Sequence, residues 1–77
     1  MTPRPAGSKK SSAALKKFGE RVGELRRSKN WSQAQFAEKM KTYSSHVNAI
    51  EHGRQNVTFE TMEEISQALG VSIKELF

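Results

Sequence analysis

The sequence predicts a compact all-α bundle of five helices. Three observations carry that expectation. Apolar residues recur three and four positions apart, and no segment alternates apolar with polar as a strand would. Three stretches repeat one helix-start signature, a capping residue between a flanking apolar pair, and two of them add a box partner three positions on. The helix before each of these starts ends on a stop residue, in turn Asn30, Gly53 and Gly70.

Residues 1–12 hold Pro, Gly, Ser and basic side chains without apolar periodicity. They are expected to form a disordered basic tail, either a solvated terminus or an arm that follows a DNA groove. Helix 1 is expected over residues 13–29, capped by Ser11 or Ser12, with Leu15, Phe18, Val22 and Leu25 at helical spacing. Gly19 and Gly23 inside it each cost about 1 kcal/mol against Ala, so another element should pack closely there. Helix 2, residues 33–40, follows the Ser32–Gln35 box with Trp31 and Phe36 flanking it. Helix 3 is expected over 44–52. Helix 4, 59–69, is capped by Thr58 between Val57 and Met62. Helix 5, 73–77, follows the Ser72–Glu75 box between Val71 and Leu76. The expected core is Val22, Leu25, Phe36, Ala37, Met40, Val47, Ile50, Met62, Ile65, Leu69, Val71 and Leu76, with Trp31 partly buried. Residues 13–77 thus form one domain.

Composition narrows the function. A chain of 77 residues with 35% apolar content builds a modest helical core and no enzyme-sized cavity. Cysteine is absent, which removes disulfides and thiolate metal sites. His46 and His52 stand six positions apart, off the spacing that puts two ligands on one helical face, so no metal and no cofactor are expected. No paired carboxylates, nucleophile–base pair or phosphate loop suggests an enzyme. There is no long apolar run, so neither a membrane span nor a secretory signal is expected, and the chain is read as cytoplasmic. Net charge is +5 and uneven. Residues 1–29 carry nine Lys and Arg against two Glu, whereas residues 57–77 carry Lys74 against Glu60, Glu63, Glu64 and Glu75. The basic half fits a polyanion, with the acidic half turned away from it.

Residues 32–53 hold the strongest functional signal. They read as two short helices joined by a tight turn, with Ala37 small where the second helix must cross the first. Val47 and Ile50 fix the buried face of the second, which leaves Ser44, Ser45, Asn48 and Ala49 outward, with Tyr43 just before them. No acidic residue interrupts that face. A short helix with a polar, acid-free outer face, braced by a neighbour, suits entry into a major groove.

With these residues in place, residues 18–77 resemble the lambda-repressor-like helix-turn-helix domains of the Xre or Cro/C1 family. The matching residues are Arg26, Ser32-Gln33, Phe36-Ala37, Val47, Ile50-Glu51, Gly53, Ala68-Leu69-Gly70-Val71 and Glu75-Leu76-Phe77. The resemblance implies a sequence-specific transcription regulator that binds double-stranded DNA as a homodimer, on a pseudo-palindromic operator, without a small-molecule ligand. Small phage repressors and restriction–modification controllers have this bare architecture.

The resemblance also implies roles. Tyr43, Ser44, Ser45, Asn48 and Ala49 match base-contacting positions. Gln33 matches a phosphate clamp at the start of helix 2, where free N–H groups favour an anion. His46, His52, Arg54, Gln55 and Asn56 are expected to contact phosphate. Arg26 and Glu51 match a structural pair that locks helix 3 to helix 1. Ile73 and Phe77 are expected at the two-fold interface. The turn departs from the family, with Lys41, Thr42 and Tyr43 in place of Gly, an aliphatic residue and a Ser or Thr cap. Lys41 then holds a left-handed conformation at a cost of about 1 kcal/mol, and capping falls to Thr42 or Ser44. One alternative keeps the domain but makes the chain an antitoxin that binds a toxin as well as its operator. Another, a helical adaptor without a DNA role, fits the basic half and the acid-free face less well.

Overall fold

The computed structural model describes the backbone of residues 4–77 and the side chains of residues 13–77. Its elements are α1 (Arg4–Ser28), α2 (Gln33–Met40), α3 (Ser44–Glu51), α4 (Phe59–Leu69) and a single 3₁₀ turn (Ile73–Leu76). No strand occurs among the described residues. The expected fifth α-helix is therefore replaced by a tighter turn. Its bonds run from Glu75 N–H to Ser72 C=O and from Phe77 N–H to Lys74 C=O, each spanning three residues. That pattern closes within four residues, where an α-helix needs more.

The first helix begins at Arg4, not at residue 13, so Ser11 and Ser12 lie within it and do not cap it. Between these points Gly7 weakens the helix by about 1 kcal/mol without ending it. Pro5 falls in the first turn, where a missing N–H breaks no bond, and the Lys, Ala and Ser that follow tolerate helix. The DNA-arm reading of the tail rests on side chains outside the described residues.

The expected starts of α2 and α4 form as their spacing requires. Ser32 Oγ accepts from Gln35 N–H at 3.0 Å while Gln35 Oε1 accepts from Ser32 N–H at 2.7 Å. Thr58 Oγ1 accepts from Thr61 N–H at 3.2 Å. At α3 neither Thr42 nor Ser44 caps. Tyr43 holds the N-cap position without a side-chain bond. Thr42 Oγ1 instead lies 3.0 Å from Nδ1 of His46, which draws the hydroxyl away from the helix backbone.

All four helices stop in one way. After α1, α2, α3 and α4 a left-handed residue stands at Asn30, Lys41, Gly53 and Gly70. Each is followed by an N–H bonded back to a carbonyl five residues earlier: Trp31 to Arg26, Thr42 to Ala37, Arg54 to Ala49 and Val71 to Ser66. These are Schellman stops, which satisfy carbonyls that a helix end leaves free. Gly pays no Cβ penalty in this conformation, Asn tolerates it, and Lys41 carries it as a strained residue, as the turn led us to expect.

The core is Phe18, Val22, Phe36, Ala37, Val47, Ile50, Ile65, Leu69 and Leu76. Leu25, Trp31, Met40, Met62 and Val71 pack around it partly exposed. Phe18, outside the expected core, is 5% exposed. The two helical glycines set the α1–α3 approach. A methyl at Gly19 would collide with the carbonyl oxygen of Ile50 and lie 2.6 Å from that of Glu51, and one at Gly23 would lie 3.3 Å from Glu51 Oε1. The backbone of α1 therefore rests directly on the end of α3, as two glycines on one helical face suggested.

Candidate nucleic-acid interface

The geometry of α3 follows from what it buries. Val47, Ile50 and Glu51 are buried, and Tyr43, Ser44 and Ser45 on the other side are exposed. Tyr43 is 79% exposed, an aromatic ring standing free at the helix start. Asn48 and Ala49 are half-buried. Among these outward residues no carboxylate occurs, while Glu60, Glu63, Glu64 and Glu75 all lie exposed on α4 and the 3₁₀ turn.

Glu51 is the anchor. Arg26 reaches it from α1 with two hydrogen bonds, Nε to Oε2 at 2.6 Å and Nη2 to Oε1 at 3.1 Å. The third guanidinium nitrogen, Nη1, donates to the Trp31 carbonyl at 2.6 Å. Arg26 and Glu51 are 8% and 9% exposed, so this bidentate pair is largely out of water. Buried ionic groups of this kind need full partnering, and among the described residues no buried side-chain polar atom lacks one. The pairing expected of Arg26 and Glu51 is present in full.

Further bonds join residues that the sequence placed in separate roles. Gln33 Nε2 donates to Glu51 Oε1 at 3.1 Å. Asn48 Nδ2 donates to Gln33 Oε1 at 3.3 Å. Arg54 Nη2 donates to Asn48 Oδ1 at 2.6 Å. One chain thus runs from α1 through α3 and α2 to the loop after α3. None of these three bonds was foreseen. The signal available was only the donor and acceptor inventory of Gln33, Asn48 and Arg54.

The remaining expected residues surround this chain. His52 Nδ1 lies 2.8 Å from the Asn48 carbonyl, which can only accept, so Nδ1 carries the proton and Nε2 is the nitrogen left unbonded. His46 is half-buried beside Thr42. Arg54, Gln55 and Asn56 are exposed on the loop that follows the Gly53 stop. Ile73 and Phe77 lie apart from them. Ile73 is half-buried, and Phe77 is 72% exposed with its ring 5.4 Å from that of Phe18. Phe77 and Phe18, with Ala14, Lys17, Arg21 and Leu76, line an open hollow of about 290 Å³. No group of His, Asp or Glu that could hold a metal occurs among the described residues, and no described helix is long and apolar enough to cross a membrane.

Comparison with known proteins agrees with this architecture. Residues 22–76 match the helix-turn-helix family model. The chain is 40% identical over 60 residues to control protein C.BamHI of Bacillus amyloliquefaciens, covering 77% of this chain and 74% of that one. It is 36% identical over 62 residues to control protein C.MunI of a Mycoplasma species, covering 79% and 84%. Its fold is similar to that of the restriction-modification controller protein C.AhdI from Aeromonas hydrophila, with a TM-score of 0.82 and 36% identity over 86% of this chain and 96% of that one. A family match over most of the chain, a solved structure of the same fold and the braced α3 together make this chain a member of the Xre-type helix-turn-helix family, DNA-binding transcription regulators and not enzymes.

Proposed function

We propose that the protein binds a specific duplex DNA sequence as a homodimer, with α3 in the major groove of each half-site. The observation that carries this reading is the acid-free outer face of α3, held at a fixed angle by the buried Arg26–Glu51 pair. In it Tyr43, Ser44, Ser45, Asn48 and Ala49 meet base edges. Short side chains bring the backbone close to the groove and allow few bidentate contacts, so DNA shape carries part of the specificity. Gln33, His46, His52, Arg54, Gln55 and Asn56 contact phosphate on either side. Phe77 and Ile73 supply the apolar patch for a two-fold contact, which would set two recognition helices about one helical turn apart.

The similarity to C.BamHI, C.MunI and C.AhdI supports a role as a controller of restriction–modification genes. Those names favour a regulator over an antitoxin. Selection of bound duplexes from a random pool tests the reading. The expected product is a pseudo-palindrome with half-sites about 10 base pairs apart. Enrichment of a single unrepeated half-site would remove the dimer, and enrichment of no sequence would remove specific DNA binding.

A further inference from the structure

The hydrogen-bonded amides of Gln33 and Asn48 have their direction set at both ends. A guanidinium only donates, so the Asn48 atom 2.6 Å from Arg54 Nη2 is the acceptor Oδ1. An ionised carboxylate only accepts, so the Gln33 atom 3.1 Å from Glu51 Oε1 is the donor Nε2. The contact between the amides at 3.3 Å is then Nδ2 of Asn48 donating to Oε1 of Gln33. Turning either amide over would set donor against donor or acceptor against acceptor. Glu51 itself is fixed by two bonds from Arg26.

Neither Asn48 atom is exhausted by these bonds. Oδ1 keeps a second lone pair and Nδ2 a second hydrogen. One acceptor beside one donor is complementary to the N6 amino group and N7 of adenine. With the amide reversed the match is lost.

We propose that Arg54 and Gln33 are positioning residues for Asn48, holding its amide in the one orientation that reads adenine. Arg54 thereby governs base preference as well as any phosphate contact it makes. The inference rests on the DNA-binding reading above. A residue that only clamps phosphate weakens every sequence alike, whereas a positioning residue also flattens preference at one base pair.

The experiment measures affinity for the selected duplex and for derivatives changed at each base pair of a half-site. Wild-type protein is expected to favour adenine at one position by about tenfold, a value within the range of one bidentate contact. Asn48→Ala identifies that position by losing the preference there. Arg54 is exposed, so Arg54→Ala should fold normally, checked by circular dichroism. It is expected to lose most of the preference at the same base pair, in addition to a uniform fall in affinity. Gln33→Ala should do likewise, and Arg54→Ala added to Asn48→Ala should change preference no further. An Arg54→Ala protein that keeps the full preference while binding all duplexes more weakly overturns the proposal. So does an Asn48→Ala protein whose preference is unchanged at every pair, although DNA binding then stands. If the wild type enriches no sequence, the DNA reading itself has failed, before any variant is compared.

Discussion

On its inner side α3 carries Val47, Ile50 and Glu51, buried against α1 and the core, with the Gly19 backbone resting on its last carbonyls. On its outer side Tyr43, Ser44 and Ser45 are exposed and make no side-chain hydrogen bond. The inner side has no spare room and no free polar group. The outer side has donors and acceptors without partners. Where the two meet, Asn48 and Gln33 are half-buried, with Asn48 donating to Gln33 and Gln33 donating inward to Glu51. The difference separates two tasks. Apolar contact and one buried ion pair set where the helix lies, and small polar groups are left free to meet a ligand whose surface is itself polar. Asn48 belongs to both sides, with its amide bonded to Gln33 on one side and to Arg54 on the other.

The largest expected effect bears on the outer side and its surroundings. On the proposed reading, Gln33, the loop of residues 54–56 and the basic N-terminal tail are expected to make about four or five phosphate contacts per subunit. Binding that releases that many counterions from each half-site should weaken about a thousandfold or more between 50 and 200 mM salt. Titration of the selected duplex at stepped salt concentrations checks this. A flat response would mean that the outer side does not face a polyanion at all.

The inner side should break differently. Arg26→Met leaves the Glu51 carboxylate buried with only Gln33 as a side-chain donor. Removing one partner of a buried pair is expected to cost about 3–4 kcal/mol of folding stability, read from urea denaturation. Adding Glu51→Leu removes the stranded charge and should return much of that loss, because an apolar pair of similar volume is often as stable as the ionic one. A stable double variant with poor DNA selectivity would assign the pair to orientation rather than to holding the fold together. If Arg26→Met alone unfolds nothing, the inner side is not anchored as its geometry indicates.

The sequence was most readable where the structure is local. The Ser32–Gln35 box is a contact between residues three apart, and its spacing alone specifies both bonds. The buried face of α3 was legible from Val47 and Ile50 because period alone decides it. Arg26 and Glu51, 25 residues apart, were paired by family resemblance and not by spacing. The Gln33–Asn48 and Asn48–Arg54 bonds span 15 and 6 residues and form only once α2, α3 and the loop are packed. A capping signature marks where a helix begins and not how far it runs, so the Ser72–Glu75 box did not reveal that four residues would close as a 3₁₀ turn. The start of α1 was hidden for the opposite reason. Residues 4–12 hold no apolar periodicity to mark a helix, and Gly7 lies within α1 without ending it.

The smallest effect concerns the hinge between the two sides. Lys41 ends α2 with φ 60° and ψ 45°, and Gly70 ends α4 with φ 73° and ψ 30°. Both carry the same pair of Schellman bonds, so the two stops differ chiefly in having a Cβ or not. A left-handed non-glycine costs about 1 kcal/mol, part of which glycine returns through its freer unfolded chain. Lys41→Gly is therefore expected to stabilise the fold by up to about 1 kcal/mol, equivalent to a few degrees in Tm for a chain of this size. Gly70→Ala, which adds a Cβ in open space but in the strained conformation, should cost a comparable amount. Differential scanning calorimetry of the two variants reads both signs. Because Lys41 has no side-chain hydrogen bond and is exposed, the start of α3 at Ser44 should be unmoved, and operator affinity should fall only by what one lost surface charge contributes. Destabilisation by Lys41→Gly would show that the lysine side chain holds the turn, and the contrast between inner and outer sides of α3 would then extend to the stop that precedes it.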